Sequence, residues 1–282
     1  MTIHTARLRA LYACVTAAVL LLALGAPAAA DDGSSTPARA IPLSRAVPRT
    51  FATYEALIAT AAAVAADQTT MYAQLVATRA EADLAKSALA AVSDPRVRGG
   101  LVRSEPNVSD GPALGALRAE IASTTAAETR LLERGATPAA PAPTWLRPLA
   151  GAVSQPFGPT TLGLEPTQMY KGVLYPHFHE GVDIVAPAGT AVLASARGRV
   201  VFAGRMGDGA VVVVLAHDNG LVSLYAHLLD GTLGPTVKAG DIVEAGGRVG
   251  MVGLTGLTTG YHLHWAVYRN GEAIDPLATL GG

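Results

Sequence analysis

Cysteine is almost absent from this sequence, since Cys14 is the only one in 282 residues. A chain with one cysteine forms no internal disulfide, so a scaffold stabilised by disulfides is excluded. Aromatic residues make up only 5% of the chain and charged residues only 15%. The 21 basic and 22 acidic residues nearly balance and form no basic cluster, so we expect no nucleic-acid partner.

The start of the chain, residues 1–30, predicts a secretory signal peptide. Arg7 and Arg9 give a basic start, residues 11–24 form an apolar stretch, and a run of alanines supplies a small-residue cleavage site. A retained transmembrane anchor is the alternative, but the apolar stretch is short for one. We therefore expect export to the cell envelope or secretion, and no membrane span after signal removal. The mature chain would have no cysteine and, with 19 basic residues left against 22 acidic ones, a formal charge of −3.

The next part of the chain is rich in alanine and predicts a helical hairpin over residues 51–134. Residues 31–50 and 135–144 flank it as linkers rich in alanine and proline. Residues 51–92 contain no proline or glycine, and their larger apolar residues recur at helical spacing. A second helix is expected over 113–134, and the pair can fold back as a hairpin or coiled coil. Because its apolar face is small, we interpret it as a spacer or a self-association element; a regulatory contact with the C-terminal domain is the alternative.

From residue 145 to residue 282 the composition changes to short β-branched runs punctuated by glycine. This pattern predicts an all-β, antiparallel, hairpin-rich domain. The sequence Asp218-Asn219-Gly220 between two of the runs is a strong hairpin signal. The predicted fold class is therefore α+β by segregation, with the helical region followed by the β-rich domain. The predicted strands are 190–195, 199–203, 210–216, 221–227, 242–252 and 262–268.

Two histidines lie two residues apart in the last of these runs, His262-Leu263-His264. Residues i and i+2 of a strand project from the same face, so both imidazoles point one way and Leu263 points into the core. Such a pair can belong to a core, bind a metal or serve catalysis. The motif alone does not choose among these three roles.

A second motif combines His179 with Asp183 across Gly181. The branched residues around Gly181 favour a strand, which puts the imidazole and the carboxylate on one side with space between them. One further histidine would complete the three-ligand pattern of a catalytic zinc site. A simple His–Asp hydrogen bond on a surface strand is the alternative.

Three more histidines require an interpretation. His227 ends a predicted strand and by itself is an ordinary strand-end residue. His217 precedes the hairpin turn and His177 lies in a loop flanked by proline, so we expect each to be structural or to support a site residue without binding a ligand itself.

The order of these motifs closely resembles the lysostaphin-type (LytM-like) zinc metallopeptidases, a family that cuts the peptide part of bacterial peptidoglycan. The resemblance covers about residues 149–276 and rests on three separated motifs in the family's order. These motifs are His179-x-x-x-Asp183, Tyr225-Ala226-His227-Leu228, and the glycine- and threonine-rich run that leads from Gly253 into His262-Leu263-His264.

The resemblance implies a role for five residues. His179, Asp183 and His264 correspond to the ligands of one Zn²⁺ per chain, and His227 and His262 to the catalytic pair. The implied function is an exported zinc metallo-endopeptidase that hydrolyses peptide bonds in the cross-links or stems of peptidoglycan. In that reaction the two histidines assist a zinc-activated water.

The sequence departs from the family's usual pattern in the expected substrate groove. Tyr261 stands where proline is usual, and Trp265 where phenylalanine is usual. Residues 159–175, before the first motif, are longer than the family's minimal version and are expected to form a groove wall. Tyr170 and Tyr175 in this segment are candidate substrate contacts, with ordinary surface aromatics as the alternative.

Two other functions compete with the peptidase. A non-enzymatic cell-wall regulator is one, although relatives of that kind tend to lack metal ligands that this chain retains. A lipoyl-type carrier domain is the other, because such domains share glycine-punctuated β-hairpins. The predicted export signal, the complete ligand set and the lack of a lysine at a hairpin tip disfavour the carrier.

Overall fold

The computed structural model describes residues 50–93, 112–134 and 145–280. Their contacts define two compact units. One takes its described residues from 77–129, and the other from 50–76 and 130–280. The predicted signal peptide and the predicted linkers lie outside the described residues, apart from Thr50, which ends the first linker.

Two helices precede the strands, α1 (Tyr54–Ser93) and α2 (Pro112–Glu133). The predicted helices 51–92 and 113–134 match them to within three residues. The Thr53 hydroxyl accepts a hydrogen bond from the Ala56 backbone N–H at 3.2 Å, which caps the start of α1. Each unit contains contacts between the two helices, as a helical hairpin requires. Arg79 Nε donates to Glu128 Oε1 at 2.7 Å in the first unit, and Leu131 packs with Met71 and Leu75 in the second.

Only strands and two short 3₁₀ helices, Gly231–Leu233 and Pro276–Thr279, occur in the described residues after 145. The strands are β1 (Val153–Gln155), β2 (Gly158–Pro159), β3 (Gln168–Tyr170), β4 (Val173–Tyr175), β5 (Phe178–His179), β6 (Gly181–Val185), β7 (Ala191–Leu193), β8 (Gly198–Arg205), β9 (Val211–Ala216), β10 (Leu221–Ala226), β11 (Ile242–Val243), β12 (Arg248–Met251), β13 (His262–Arg269) and β14 (Glu272–Ile274). The predicted strand 242–252 is wrong as one element. Its glycine pair, Gly246-Gly247, forms a turn that separates β11 from β12.

A central antiparallel sheet organises this region. Its eight strands run in the order β1-β6-β13-β10-β9-β8-β11, with β14 added alongside β13. The pairs β7–β12, β2–β5 and β3–β4 form three small two-stranded sheets. The prediction of two helices followed by an antiparallel, hairpin-rich β region is therefore confirmed, whereas the domain boundaries stay a prediction.

Both faces of the central sheet are buried, because alternate side chains of its middle strands enter two different cores. On β9, Val211, Val213 and Leu215 belong to one core, which also holds Tyr225 and Trp265. Val212, Val214 and Ala216 belong to the other core. A helix covers this second face. The helix residues are Leu57, Ile58, Ala61, Val64 and Ala65, all from the first turns of α1 and spaced so that they share one side.

Among the described residues, neither helix has the length and apolar character that a membrane crossing needs.

Candidate active site

Strand pairing brings the two predicted metal-binding motifs together. β13 lies between β6 and β10, and its His264 pairs with Asp183 on one side and with Ala226 on the other. His227 directly follows Ala226, at the end of β10. His179 lies on β5, two residues before β6 begins. Residues that are far apart in the chain therefore meet at one end of three adjacent strands.

Three donor atoms converge in this arrangement. His179 Nε2 lies 3.1 Å from Asp183 Oδ1, and His264 Nδ1 lies 3.0 Å from the same oxygen. The two ring nitrogens are themselves 3.0 Å apart. His179 and Asp183 are buried, and His264 is half-buried at the floor of a cleft. Among the described residues, these three form the one cluster of histidine and carboxylate atoms close enough to hold a metal ion together.

The chemistry of the donor set fits a cation. His179 Nδ1 donates to the Pro156 carbonyl at 3.0 Å, so in the neutral ring Nε2 carries a lone pair. That lone pair faces a carboxylate oxygen, and two acceptors at this distance need a proton or a metal ion between them. Two imidazoles and one carboxylate suit zinc and leave a coordination position open. The contact between His179 Nδ1 and a carbonyl is the usual way to orient a metal-binding histidine.

The pKa values of the same groups reflect their mutual attraction. Burial raises the pKa of Asp183, but hydrogen bonds and charges from His179 and His264 outweigh burial and hold this pKa well below its usual range. Burial lowers the pKa of His179, yet the hydrogen bond and the charge of Asp183 outweigh it, so the net shift is upward. The carboxylate is therefore ionised at neutral pH and available as a metal ligand.

Gly181 is required between the two ligands of the first motif. A Cβ atom at this position would lie 2.5 Å from the Trp265 carbonyl oxygen and 3.0 Å from His264 Cε1. Any side chain there would push β13 away from β6 and displace His264. We expected the absent side chain to leave space between His179 and Asp183; in the structure this space is taken by the backbone of the neighbouring strand and by the ring of His264.

His227 and His262 form a second pair beside the first cluster. Their ring centroids are 4.8 Å apart, and the rings of His227 and His264 are 6.1 Å apart. His262 Nδ1 donates to the Gly260 carbonyl at 2.9 Å, and His227 Nδ1 donates to the Thr255 carbonyl at 2.8 Å. Both contacts fix the neutral tautomer and leave Nε2 as an acceptor. His262 Nε2 lies 3.5 Å from Asp183 Oδ2.

The backbone holds His227 in an unusual conformation. Its φ is +61°, in the left-handed region that a residue with a side chain seldom adopts. Gly253 N–H donates to the His227 carbonyl at 2.9 Å and helps to hold this conformation. Burial is the main reason that the pKa of His227 falls to about 4, so the ring is neutral at pH 7.

Thr255 is a site residue that the sequence did not reveal. Its carbonyl orients His227, while its hydroxyl donates to the Leu228 carbonyl at 2.7 Å and accepts from Val211 N–H at 2.9 Å. Gly256 follows with a φ of +75°, and a Cβ there would lie 2.5 Å from Ala210 Cβ. The pair Thr255-Gly256 in the third motif was the sequence feature that could have identified Thr255 as a site residue. The carbonyls of Pro156 and Gly260 left no signal, because every residue has a carbonyl.

Four of the five predicted residues, all but the buried His179, line one cleft of about 310 Å³. Leu162 and Leu164 lie on one wall, so the segment 159–175 does supply a wall, and Leu257 and the two residues after it lie on another. Tyr170 and Tyr175 do not line the cleft and instead pack against Phe178.

The charged lining of this cleft is entirely acidic. Its carboxylates belong to Glu165, Glu180, Asp183 and Asp208, and none of the described lysines or arginines lines it. The negative potential disfavours an anionic ligand. Of the two departures noted in the groove, Trp265 is fully buried in the core, whereas Tyr261 is exposed.

The remaining histidines lie apart from the cluster, as expected. His217 is fully buried, with Nδ1 2.8 Å from the Arg197 carbonyl and Nε2 2.8 Å from Ser223 Oγ. His177 Nδ1 contacts the Glu165 carbonyl at 2.8 Å and ties down the wall segment. Neither residue is among the three converging donors, and their roles stay a prediction.

Comparisons with known proteins match the region that contains this cluster. Residues 177–276 match the model of peptidase family M23. DD-carboxypeptidase/endopeptidase Mpg of Neisseria meningitidis is 41% identical over 100 residues, which are 36% of this chain and 22% of that protein. Murein hydrolase activator NlpD of Escherichia coli is 30% identical over 141 residues, 50% of this chain and 32% of that protein. The chain therefore spans about a fifth to a third of the length of these curated relatives.

A solved structure covers the same region. The catalytic domain of the antimicrobial peptidase lysostaphin from Staphylococcus simulans is 30% identical, and the match covers 47% of this chain and 93% of that chain with a TM-score of 0.37. The family model and the sequence identities indicate the same family. The chain belongs to peptidase family M23 through its β-rich region, and the resemblance to the lysostaphin-type peptidases is confirmed.

Proposed function

We propose that this protein is an exported zinc metallo-endopeptidase that hydrolyses peptide bonds in the cross-links or stems of bacterial peptidoglycan. The observation that carries the proposal is the convergence of His179 Nε2, Asp183 Oδ1 and His264 Nδ1 within 3.1 Å of one another. The peptidase family supports the reaction type. The relatives named a DD-carboxypeptidase/endopeptidase and a murein hydrolase activator support the substrate.

His179, Asp183 and His264 would hold one zinc ion in this proposal. A zinc ion in such a site acts as a Lewis acid on a carbonyl oxygen and lowers the pKa of water toward about 7. The Pro156 carbonyl keeps the His179 ring in the tautomer that presents Nε2 to the site. Strands β6 and β13 fix the other two ligands by their pairing, so the site is preorganised by the sheet.

His227 and His262 would handle protons and charge in the cleft. Each ring has Nδ1 occupied by a backbone carbonyl, which leaves Nε2 to accept a proton from the attacking water. A protonated Nε2 can then stabilise negative charge on the former carbonyl oxygen and deliver a proton to the leaving amine. Burial lowers the pKa of His227, so a proton taken up by this ring is readily released.

A regulator of other wall hydrolases is the second candidate, because one relative is named a murein hydrolase activator. A regulator needs no metal centre, whereas this chain combines a full set of three ligands with two oriented histidines. That combination favours the enzyme. Self-association or a regulatory contact through the helical region stays a prediction.

The test uses the mature chain and purified peptidoglycan of known chemistry, with the released fragments identified by mass spectrometry. We expect about one zinc per chain, cleavage of an amide in a cross-link or stem peptide, loss of cleavage with a chelator and recovery with added zinc. Asp183→Asn, which keeps the shape of the side chain, is the matched control and should bind zinc far more weakly. A protein without zinc, or one that binds peptidoglycan and never cleaves it, would remove the enzyme and leave the regulator.

A further inference from the structure

Helix α1 contributes to the cleft as well as to the core. Its first turns cover the second face of the central sheet, and Leu57 and Ala61 are fully buried there. Phe51, just before the helix, packs edge-on against Phe202 with ring centroids 5.6 Å apart. These contacts belong to the same compact unit as the β strands. The start of the helix is therefore held firmly on the sheet.

This packing brings Tyr54 into the cleft that holds the histidine and carboxylate cluster. Tyr54 lines the cleft together with His227 and His262. Its hydroxyl donates to Asp208 Oδ2 at 3.2 Å, while Asp208 Oδ1 accepts from Ala210 N–H at 3.0 Å. The loop that carries Asp208 and the start of α1 thus brace each other at the cleft.

A second tyrosine forms a similar pair in the same lining. Tyr268 donates its hydroxyl proton to Glu180 Oε2 at 3.1 Å, and Gln168 contacts the other oxygen of Glu180. Burial is the largest cause that raises the pKa of both Tyr54 and Tyr268. Both phenols therefore remain protonated hydrogen-bond donors at neutral pH. Tyr268 is almost completely buried, whereas Tyr54 is only partly buried, so part of its side chain is accessible to a ligand.

We infer that Tyr54 is a substrate-contact residue, and that the helical region therefore supplies part of the substrate-binding surface of the peptidase. This inference rests on the proposed function and deepens it. Tyr54 comes from a segment more than a hundred residues before the family match, which begins at residue 177. Tyr54 is neither one of the three donor residues nor one of the two oriented histidines, so its role is to hold the bound peptide. Such a contact contributes to binding and little to the chemical step.

The test compares Tyr54→Leu, Tyr54→Phe and Tyr72→Leu in the full mature chain, with a cross-linked muropeptide dimer as the probe. Tyr54→Leu keeps an apolar side chain on the sheet and removes the flat ring. Tyr54→Phe keeps the ring and removes the bond to Asp208. Tyr72→Leu is the matched control, because Tyr72 lies on the same helix and does not line the cleft.

We expect Tyr54→Leu to raise KM about tenfold, the effect of losing one partly buried aromatic contact, with kcat changed less than twofold. The KM of Tyr54→Phe should stay within about threefold of the wild-type KM, and the KM of Tyr72→Leu should equal the wild-type value. Zinc content and Tm should remain close to wild type in all three. The inference is overturned by an unchanged KM in Tyr54→Leu, by the same change in Tyr72→Leu, or by a loss of activity that merely follows a loss of folded protein.

The failure of this inference is separable from the failure of the proposed function. Calorimetric titration of the same dimer gives Kd without any turnover. If the wild type never cleaves the dimer, the proposed enzymatic function is contradicted. In that case, a Kd that increases in Tyr54→Leu and not in Tyr72→Leu still supports the substrate contact. If the wild type cleaves and neither KM nor Kd changes in Tyr54→Leu, only the inference fails.

Discussion

The two ends of the hairpin formed by β9 and β10 each hold a histidine, fully buried His217 at the turn end and half-buried His227 at the cleft end. At the turn end, His217 has both ring nitrogens engaged, by the Arg197 carbonyl and by Ser223. At the cleft end, His227 has only Nδ1 engaged, by the Thr255 carbonyl. Burial lowers the pKa of each ring to about 4. The lowered pKa therefore fails to separate the structural histidine from the candidate catalytic one.

The two histidines differ in whether Nε2 is hydrogen-bonded and in which residues surround the ring. The ring of His227 stands 4.8 Å from that of His262, beside the three converging donor atoms. The ring of His217 instead packs at 4.8 Å against Trp145, inside the core. A histidine with two satisfied nitrogens stabilises a fold, whereas one with an oriented ring and an open nitrogen can move a proton.

The largest effect is expected at the cleft end, where His227→Ala should lower turnover by about 10²- to 10⁴-fold because an acid–base group is lost. Zinc should remain bound, since His227 is not among the three donors. His264→Ala should lose both the zinc and the activity. Metal analysis and peptidoglycan digestion measure the two properties separately. Equal zinc loss in both variants would show that our assignment of roles is wrong.

The turn end should respond in the opposite way. His217→Ala should cost roughly 2–4 kcal/mol of unfolding free energy, because it leaves a cavity and strands the polar partners of the ring. The folded fraction should keep its zinc and its turnover. Denaturant unfolding and activity per folded molecule provide the measurement. The distinction between a structural His217 and a catalytic His227 is contradicted if His227→Ala lowers the unfolding free energy as much as His217→Ala does.

The smallest effect concerns pH and comes from the same buried ring. His217 has a folded pKa of about 4, against about 6.5 when unfolded, because burial disfavours the charged form. The unfolded chain therefore binds the extra proton first, so stability falls as the pH drops from about 6.5 to about 4. The loss of unfolding free energy over this range is roughly 3 kcal/mol, and there is no such loss above pH 6.5.

The measurement compares the unfolding free energy of wild type and His217→Gln across this pH range, with both chains stripped of metal. Metal removal matters because protons also compete for the zinc ligands. The wild type should lose more stability than the variant on acidification. Two parallel curves would mean that His217 is protonated within the folded protein or is not the titrating group.

Much of this architecture was predictable from local patterns. The alanine-rich stretch without proline or glycine predicted α1, and the glycine-punctuated β-branched runs predicted the antiparallel strands. The spacing of His262 and His264 put both rings on one side of β13. The predicted strand 242–252 was wrong because a turn at Gly246-Gly247 interrupts an otherwise continuous apolar run. The short strands β1 to β4 and β14 were not predicted, and His179 and Asp183, expected on one strand, lie on β5 and β6.

The parts that could not be predicted depend on contacts between distant segments. Nothing local to Tyr54 or Leu57 indicates that they meet the sheet, since helical spacing shows which side of α1 is apolar and not what covers it. The orientation of His227 depends on a carbonyl 28 residues away. Backbone carbonyls carry no sequence signature, so the tautomers of the site histidines required the three-dimensional structure.

Burial on both faces of β9 and β10 has a consequence for metal affinity. In small zinc-binding modules, the ion must bring its own ligands together, and part of its binding free energy is used to fold the chain. Here the packing of two cores already holds β10 beside β13, and β13 beside β6, with the donors in reach of one another. The ordering entropy of the ligands is therefore lost when the chain folds, before any ion arrives. An ion held by these donors would in this way be able to exchange without the domain unfolding.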